Sequence, residues 1–186
     1  MLKGSKCSTI KCPMEKRNYP PGQHAKKQVK LSEYGKRLVE KQKLRNIMGI
    51  TETQLRKYFS LAKRMKGVAG ENLLKLLALR LDNVVYLFGW ASSRRAARQL
   101  VSHGHVLVNG KTINSPSYEL KVGDKVQLKE YLRENINVQK SVEKQILPSW
   151  LRYDKENFLG EIFAYPQREE ISLPVNESLI VEFYSK

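Results

Sequence analysis

The residues with the clearest chemical potential are three arginines in one short run, Arg94-Arg95-Ala96-Ala97-Arg98, directly after Ser92-Ser93. A serine ahead of a helical apolar pattern is a cap, so the arginines fall in the opening turns of a helix. Arg94 and Arg98 share a face at i, i+4, and Arg95 and Arg98 are neighbours at i, i+3. Cations in a first turn oppose the helix macrodipole by roughly 0.3–1 kcal/mol each. A docked phosphate reverses that balance, because it meets the free N–H groups and the guanidinium forks together. The chemistry on offer is anion binding. Metal chemistry has thinner support. His103-Gly104-His105 has no Cys, Asp or Glu beside it, so turn histidines or contacts to a nucleic acid fit better than zinc. Cys7-x4-Cys12 is half of a zinc knuckle and His24 a third ligand, but a closed structural site needs four. No cofactor is therefore expected. Catalytic signatures are missing: no Gly-x-Ser-x-Gly, no phosphate-binding Gly-rich loop, no His-Glu-x-x-His. Asp82 and Asp124 sit at a helix start and in a turn, where structural roles suffice. The chain reads as a binder and not as an enzyme.

Charge says what is bound. The 186 residues carry a net +16, and its distribution is lopsided. Residues 1–80 hold 20 of the 34 Lys and Arg but 5 of the 18 acids, net +15, whereas residues 81–186 hold 14 and 13, net +1. Self-repulsion in so basic a block opposes compaction unless a polyanion is present. Each phosphate neutralised releases counterions, which makes the affinity salt-sensitive. Apolar residues make up 41% of the chain, enough for a core. No apolar run approaches the ~20 residues of a membrane helix. The opening Met1-Leu2-Lys3-Gly4-Ser5-Lys6-Cys7 has no apolar block, so the cytoplasm is the expected compartment.

The elements that must hold these residues are legible in outline. Residues 1–31 read as an irregular arm, broken by Pro13, Pro20, Pro21 and Gly22 and charged by Lys26, Lys27 and Lys30; such arms order against a partner. Ser32 caps a helix to about Met48 that Gly49 stops, carrying Lys36, Arg37, Lys41, Lys43 and Arg45. Thr51-x-x-Gln54 is a capping box. Behind it Leu55, Tyr58, Phe59, Ala62 and Met65 follow a helical period, while Arg56, Lys57, Lys63 and Arg64 fall mainly elsewhere on the surface. A Leu-rich helix covers Leu73 to Leu79. Leu81, Val84, Val85 and Phe88 mark another, ended by Gly89. The arginine helix then buries Ala97, Leu100 and Val101 and stops at Gly104. From there the period becomes two: Val106-Leu107-Val108, the hairpin turn Asn109-Gly110, then Lys111-Thr112-Ile113. Val122-Gly123-Asp124-Lys125 is a second turn before Val126 and Leu128. Residues 81–130 thus form two helices and a small antiparallel sheet, an α+β unit. Residues 131–147 read as a polar helix. Residues 148–174 read as irregular, with a strand near Phe158–Tyr165. The apolar end, Leu179 to Tyr184, fits a docked helix or a docked strand. Tyr19 and Tyr34 are available to stack on bases, whereas Tyr58 and Tyr86 suit the core.

These residues together resemble a known family. Tyr19-Pro20-Pro21-Gly22-Gln23-His24 and Glu40-Lys41-Gln42-Lys43-Leu44-Arg45 are similar to the basic arm and first helix of the small-subunit ribosomal protein four family. Arg80-Leu81-Asp82-Asn83-Val84-Val85-Tyr86 resembles its domain start. Ser93 through His105, with Val108-Asn109-Gly110, resembles its S-four RNA-binding motif, and Leu173-Pro174-Val175-Asn176-Glu177 with Ile180 to Lys186 resembles its end. The match runs in order along almost the whole chain. One departure stands at the start, where many members carry a further Cys-x-x-Cys pair, and this weakens the case for zinc. The resemblance implies an arm over 1–31, a helical domain over 32–80 completed by about 170–186, an S-four domain over 81–147 and a connecting segment over 148–169, with the C-terminal segment docked back on the helical domain.

The resemblance also implies a primary binder of small-subunit ribosomal RNA that clamps a multi-helix junction of the 5′ domain and nucleates assembly. The RNA contacts expected on the matching positions are Tyr19, Lys26, Lys36, Arg37, Lys41, Lys43, Arg45, Arg56, Lys57, Ser93, Arg94, Arg95, Arg98, His103, His105 and Asn109. Lys27 and Lys30 fall where the family lines the tunnel through which mRNA enters, beside small-subunit proteins three and five. Contact with protein five implies an influence on decoding accuracy. The same motif occurs in RNA-modifying enzymes and an RNA chaperone, but those readings require a catalytic domain, or a protein found mostly off the ribosome. The place expected for this chain is the small ribosomal subunit, cytoplasmic or organellar.

Overall fold

The computed structural model describes residues 7, 9–19, 21–23, 30–133, 138, 141–142 and 146–185. A short helix α1 (Pro13–Lys16) starts on a proline, whose fixed φ suits a first helical position. Helix α2 (Glu33–Met48) is capped by Ser32 Oγ, which accepts from the Gly35 N–H, and ends on Gly49 in the left-handed region at φ 65°. Helix α3 (Glu52–Arg64) has its full capping box on Thr51 and Gln54. Helix α4 (Ala69–Ala78) is buried along most of its length. Helices α5 (Leu81–Leu87) and α6 (Arg94–Ser102) follow, and the chain closes with α7 (Glu177–Tyr184).

The sheet is larger than the sequence suggests. Strands β1 (Val106–Val108), β2 (Lys111–Thr112), β3 (Lys125–Leu128), β4 (Leu151–Asp154) and β5 (Leu159–Ile162) form one antiparallel sheet in the order β2-β1-β3-β5-β4. Residues 148–169 are therefore not merely a connector, because they supply two of its strands. The strand expected near Phe158–Tyr165 is β5, shorter than the sequence suggested. β4 went unread because Leu151-Arg152-Tyr153-Asp154 offers only two alternations, and its partner is decided by register: Leu151 faces Ile162 and Tyr153 faces Gly160. The helix expected over 131–147 lies largely outside the described residues; a 3-10 turn spans Glu130–Leu132.

Period-two burial sets one face of the sheet inward, with Val106, Val108, Val126, Leu128 and Ile162 all buried. Phe88, Trp90 and Tyr153 pack as an aromatic cluster on it, with ring centroids 5.2–6.1 Å apart. The Trp90 indole N–H donates to the Tyr153 hydroxyl at 3.0 Å. Gly160 lies directly under the Phe88 ring, where a Cβ would sit 2.1 Å from its nearest atom.

Helices and sheet share one continuous apolar core running from Leu44 and Leu55 through Leu74 and Leu77 to Val84, Val106 and Ile162. The join is at Arg80. Its guanidinium is buried and forks onto Asp82 at 3.0 and 2.6 Å, with a third N–H donated to the Tyr58 hydroxyl at 2.8 Å. Burial works against the charge, but Asp82 and Tyr58 outweigh it and hold Arg80 above its ordinary pKa. Backbone bonds stitch the same seam, the Leu81 N–H to the Tyr118 carbonyl and the Leu120 N–H to the Leu79 carbonyl.

The apolar end of the chain resolves to a helix docked on α2 and α4. Its N-cap is Asn176, whose side chain accepts from the Ser178 and Leu179 N–H groups. Gly70 on α4 allows close approach, since a Cβ there would stand 3.0 Å from Glu177. Arg168 holds Glu177 by two bonds at 2.7 and 3.0 Å.

Candidate nucleic-acid interface

The sequence offered a long set of cations, and the structure divides them by whether their charge is already spent. On α2, Lys41 corrects the expectation most sharply. It is buried, its ammonium 2.9 Å from Glu52 and 4.5 Å over the Phe183 ring. Arg37 donates to Glu182 at 2.7 Å and is half-buried. Both charges are engaged within the chain for the same reason: α7, far away in sequence, covers the stripe of α2 that carries Arg37, Glu40 and Lys41. Glu40 joins in by accepting the Asn176 N–H at 3.0 Å. Lys36 and Lys43 stay exposed, each in an i, i+3 pair, with Glu33 and Glu40 respectively. Such exposed pairs are worth little and give way readily to a better anion. Arg45 is half-buried.

Helix α3 is different. Its buried stripe is Leu55, Phe59 and Ala62, while Met65 caps the end and stays exposed. Arg56, Lys57, Lys63 and Arg64 stand in solvent, and among the described residues their side chains make no hydrogen bond or ion pair. Four unspent cations on one helix are an electrostatic footprint for a polyanion.

The arginine helix keeps less free charge than its sequence promised. Ser93 is a buried N-cap whose Oγ accepts the Ala96 N–H. Arg94 turns inward, its Nε donating to Asn83 Oδ1 at 2.9 Å and its guanidinium 4.6 Å over the Tyr86 ring. Burial pushes its pKa below the ordinary value, opposed by Tyr86 and Asp82. Arg98 donates to the Gly49 carbonyl at 2.7 Å, which ties α6 to the end of α2. Arg95 alone of the three is exposed with no partner among the described residues. The first turn contains no acid, so Arg95 and the free N–H groups face the same side of the electrostatic balance.

The remaining expected contacts sort similarly. Asn109, at φ 50° in the hairpin turn, is a structural residue. Its amide donates to Asp124 at 2.8 Å and accepts the Lys125 N–H at 2.9 Å, which locks the first turn to the second. Asp124, read as a turn residue, also accepts the Lys121 N–H at 2.7 Å. His103 is exposed and its ring lies 5.8 Å from that of His105. Partial burial, then the nearby His103 and Lys129, holds His105 below its ordinary pKa, and its ring nitrogen Nδ1 lies against the Tyr131 hydroxyl. Tyr19 and Lys30 are exposed, while Lys26 and Lys27 lie outside the described residues. Cys7 is half-buried and Cys12 buried, and the described residues hold no cluster of three or more metal-ligating side chains. No helix among them is long and apolar enough to cross a membrane.

Arg80 and Asn83 stand in the sequence only as part of the domain-start motif, with no individual role; in the structure Arg80 is the buried hub between helices and sheet and Asn83 accepts from Arg94. The available signal was Asp82 two residues on, at the start of α5.

A helical lobe with an unspent cationic helix, joined rigidly to a two-helix and sheet unit with an exposed arginine at a capped helix start, defines a protein built to hold a structured polyanion. Comparison with known proteins gives the family. Residues 1–78 match the family described as Ribosomal protein S4/S9 N-terminal domain, and residues 79–126 match the S4 domain. The proteins called small ribosomal subunit protein uS4 in Caldicellulosiruptor saccharolyticus and Dictyoglomus thermophilum are each 54% identical to this chain, over 100% of it and 90% of their own length. The one of that name in Acetivibrio thermocellus is 52% identical over the same shares. The chain belongs to the small ribosomal subunit protein uS4 family.

Proposed function

We propose that this protein is a structural, non-catalytic constituent of the small ribosomal subunit, and that it binds ribosomal RNA with two surfaces at once. The observation that carries this reading is the pairing of the open α3 cations, Arg56, Lys57, Lys63 and Arg64, with Arg95 at the acid-free start of α6. Arg98 and the Arg80 hub hold the two surfaces in fixed relation. A rigid body with two separated phosphate-binding faces suits a junction where several RNA helices meet, because it selects their relative orientation and not their sequence. That is the physical sense in which it clamps a 5′-domain junction and nucleates assembly.

The basic arm with Lys27 and Lys30 is assigned to the tunnel through which mRNA enters, beside small-subunit proteins three and five. Contact with protein five is the route to decoding accuracy. This reading needs no metal, so chelation should leave RNA binding unchanged. The test is sedimentation with small subunits through a high-salt wash. Retention supports a built-in constituent, whereas recovery mostly in the free fraction supports an RNA chaperone using the same motif.

A further inference from the structure

Beside the cationic face of α3 lies a groove that shares Arg56 and Lys63 with it. It runs between α2, α3 and α7, about 560 Å³ in volume, and its walls include Tyr34, Arg37, Arg56, Ser60, Lys63 and Phe183. Tyr34 is 61% exposed, although its ring stands 5.7 Å from that of Phe183 and its position on α2 is fixed by the helix. The far wall is neutralised in advance, since Arg37 is paired with Glu182 at 2.7 Å. Arg56 and Lys63 on the near wall have no described partner. An anchored aromatic ring with an open face, beside two unspent cations and a hydroxyl, matches the requirements of one nucleotide: a π-face for the base and positive charge for its phosphate. A paired base inside a helix cannot reach such a ring, because its faces are already stacked.

We propose that this groove accepts a single unpaired nucleotide of the bound RNA, its base stacked on Tyr34 and its phosphate held by Arg56 and Lys63. The proposal rests on the RNA-binding reading above and adds a base contact to what is otherwise backbone recognition.

The test uses the full chain, a transcript of the small-subunit rRNA 5′ domain and a fully paired RNA duplex of similar length. Tyr34→Leu keeps apolar bulk and removes the stacking ring; Tyr34→Phe keeps the ring and removes the hydroxyl. The expected result is roughly ten-fold weaker binding of the transcript by Y34L, about 1.4 kcal/mol, with wild-type affinity for Y34F. The log–log salt slope should be unchanged in Y34L, because no phosphate contact is lost. On the paired duplex, Y34L and wild type should bind alike. Equal transcript binding by Y34L and wild type overturns the inference while leaving RNA binding intact. So does an equal loss in Y34F, or a loss in Y34L that persists on the duplex or comes with a shallower slope. If wild type itself fails to bind the transcript, the underlying RNA-binding reading falls and the groove assignment with it.

Discussion

Arg95 and Arg98 sit three residues apart on one helix and have opposite fates. The Arg95 guanidinium is exposed with no partner among the described residues, whereas Arg98 is bonded to the Gly49 carbonyl at 2.7 Å. Charge reversal at Arg95 should therefore weaken RNA binding about ten-fold, within the range of a charged hydrogen-bonded contact, while the free protein unfolds at the same temperature or slightly higher, because an acid in the first turn of α6 suits the helix dipole. Arg98→Ala should do the converse in the free protein, lowering stability by about 1 kcal/mol in a urea titration. Reversing Arg94, Arg95 and Arg98 together would mix the two effects, because Arg94 is also turned inward onto Asn83 and Tyr86. The buried fork of Arg80 and Asp82 sets a larger scale. Asp82→Ala strands a guanidinium whose side chain is 1% exposed, and removing one partner of a buried pair costs about 3–5 kcal/mol. Urea unfolding should show that loss. A midpoint shift typical of a surface substitution would contradict the hub assigned to Arg80.

At the level of elements, α7 is the piece that decides how α2 is used. Its polar latches, Tyr184 on Glu52 and Arg168 on Glu177, together with the α2–α3 pair of Lys41 with Glu52, leave both carboxylates more acidic than usual. For Glu177 the Arg168 hydrogen bonds are the largest cause; for Glu52 burial opposes the shift but Lys41 and Tyr184 outweigh it. A carboxylate whose folded pKa lies below its unfolded value stabilises the fold above that unfolded value, 4.5, and loses the contribution as pH falls through the folded pKa. Docking of α7 should thus weaken below about pH 4.5, read as faster amide exchange over Leu179–Tyr184, and Glu52→Gln should remove part of that pH dependence. The sheet supplies a second check. Gly160→Ala forces a methyl into the Phe88 ring, and overpacking of that kind costs about 1–3 kcal/mol or more, visible as a lowered melting temperature.

The capped helices α2, α3 and α6 and the Asn109-Gly110 hairpin were legible in the sequence because their signals are local: Ser32, Thr51 with Gln54, Ser93, and a turn that needs positive φ. The free cations of α3 were legible for the same reason, standing off a clear buried stripe. What hid was set by distant partners. Lys41 and Arg37 read as surface charges because nothing near them in sequence announces α7. β4 has too few residues to show a period and exists only through its pairing with β5. Arg94 looked free because its partners, Asn83 and Tyr86, lie on the preceding helix.

For the whole molecule the uneven charge is the dominant fact: net +15 over residues 1–80 and +1 over residues 81–186, counted from the 34 Lys and Arg and 18 Asp and Glu. The two halves cannot be tested as separate pieces, because the core and the Arg80 seam are continuous across residue 80. The direct measurement is the salt dependence of binding of the intact chain to a 5′-domain rRNA transcript, for wild type and two variants. One variant carries Arg56→Gln, Lys57→Gln, Lys63→Gln and Arg64→Gln on α3; the other carries Lys111→Gln and Lys125→Gln on the sheet and Lys121→Gln in the turn before β3. Each lost phosphate contact removes roughly 0.7–0.9 units of log–log slope. The α3 variant, with four contacts removed, should lose about 3–3.5 units and the sheet variant less than one. A wild-type slope retained by the α3 variant, with both variants folded, would contradict the claim that this helix spends its charge on RNA phosphates.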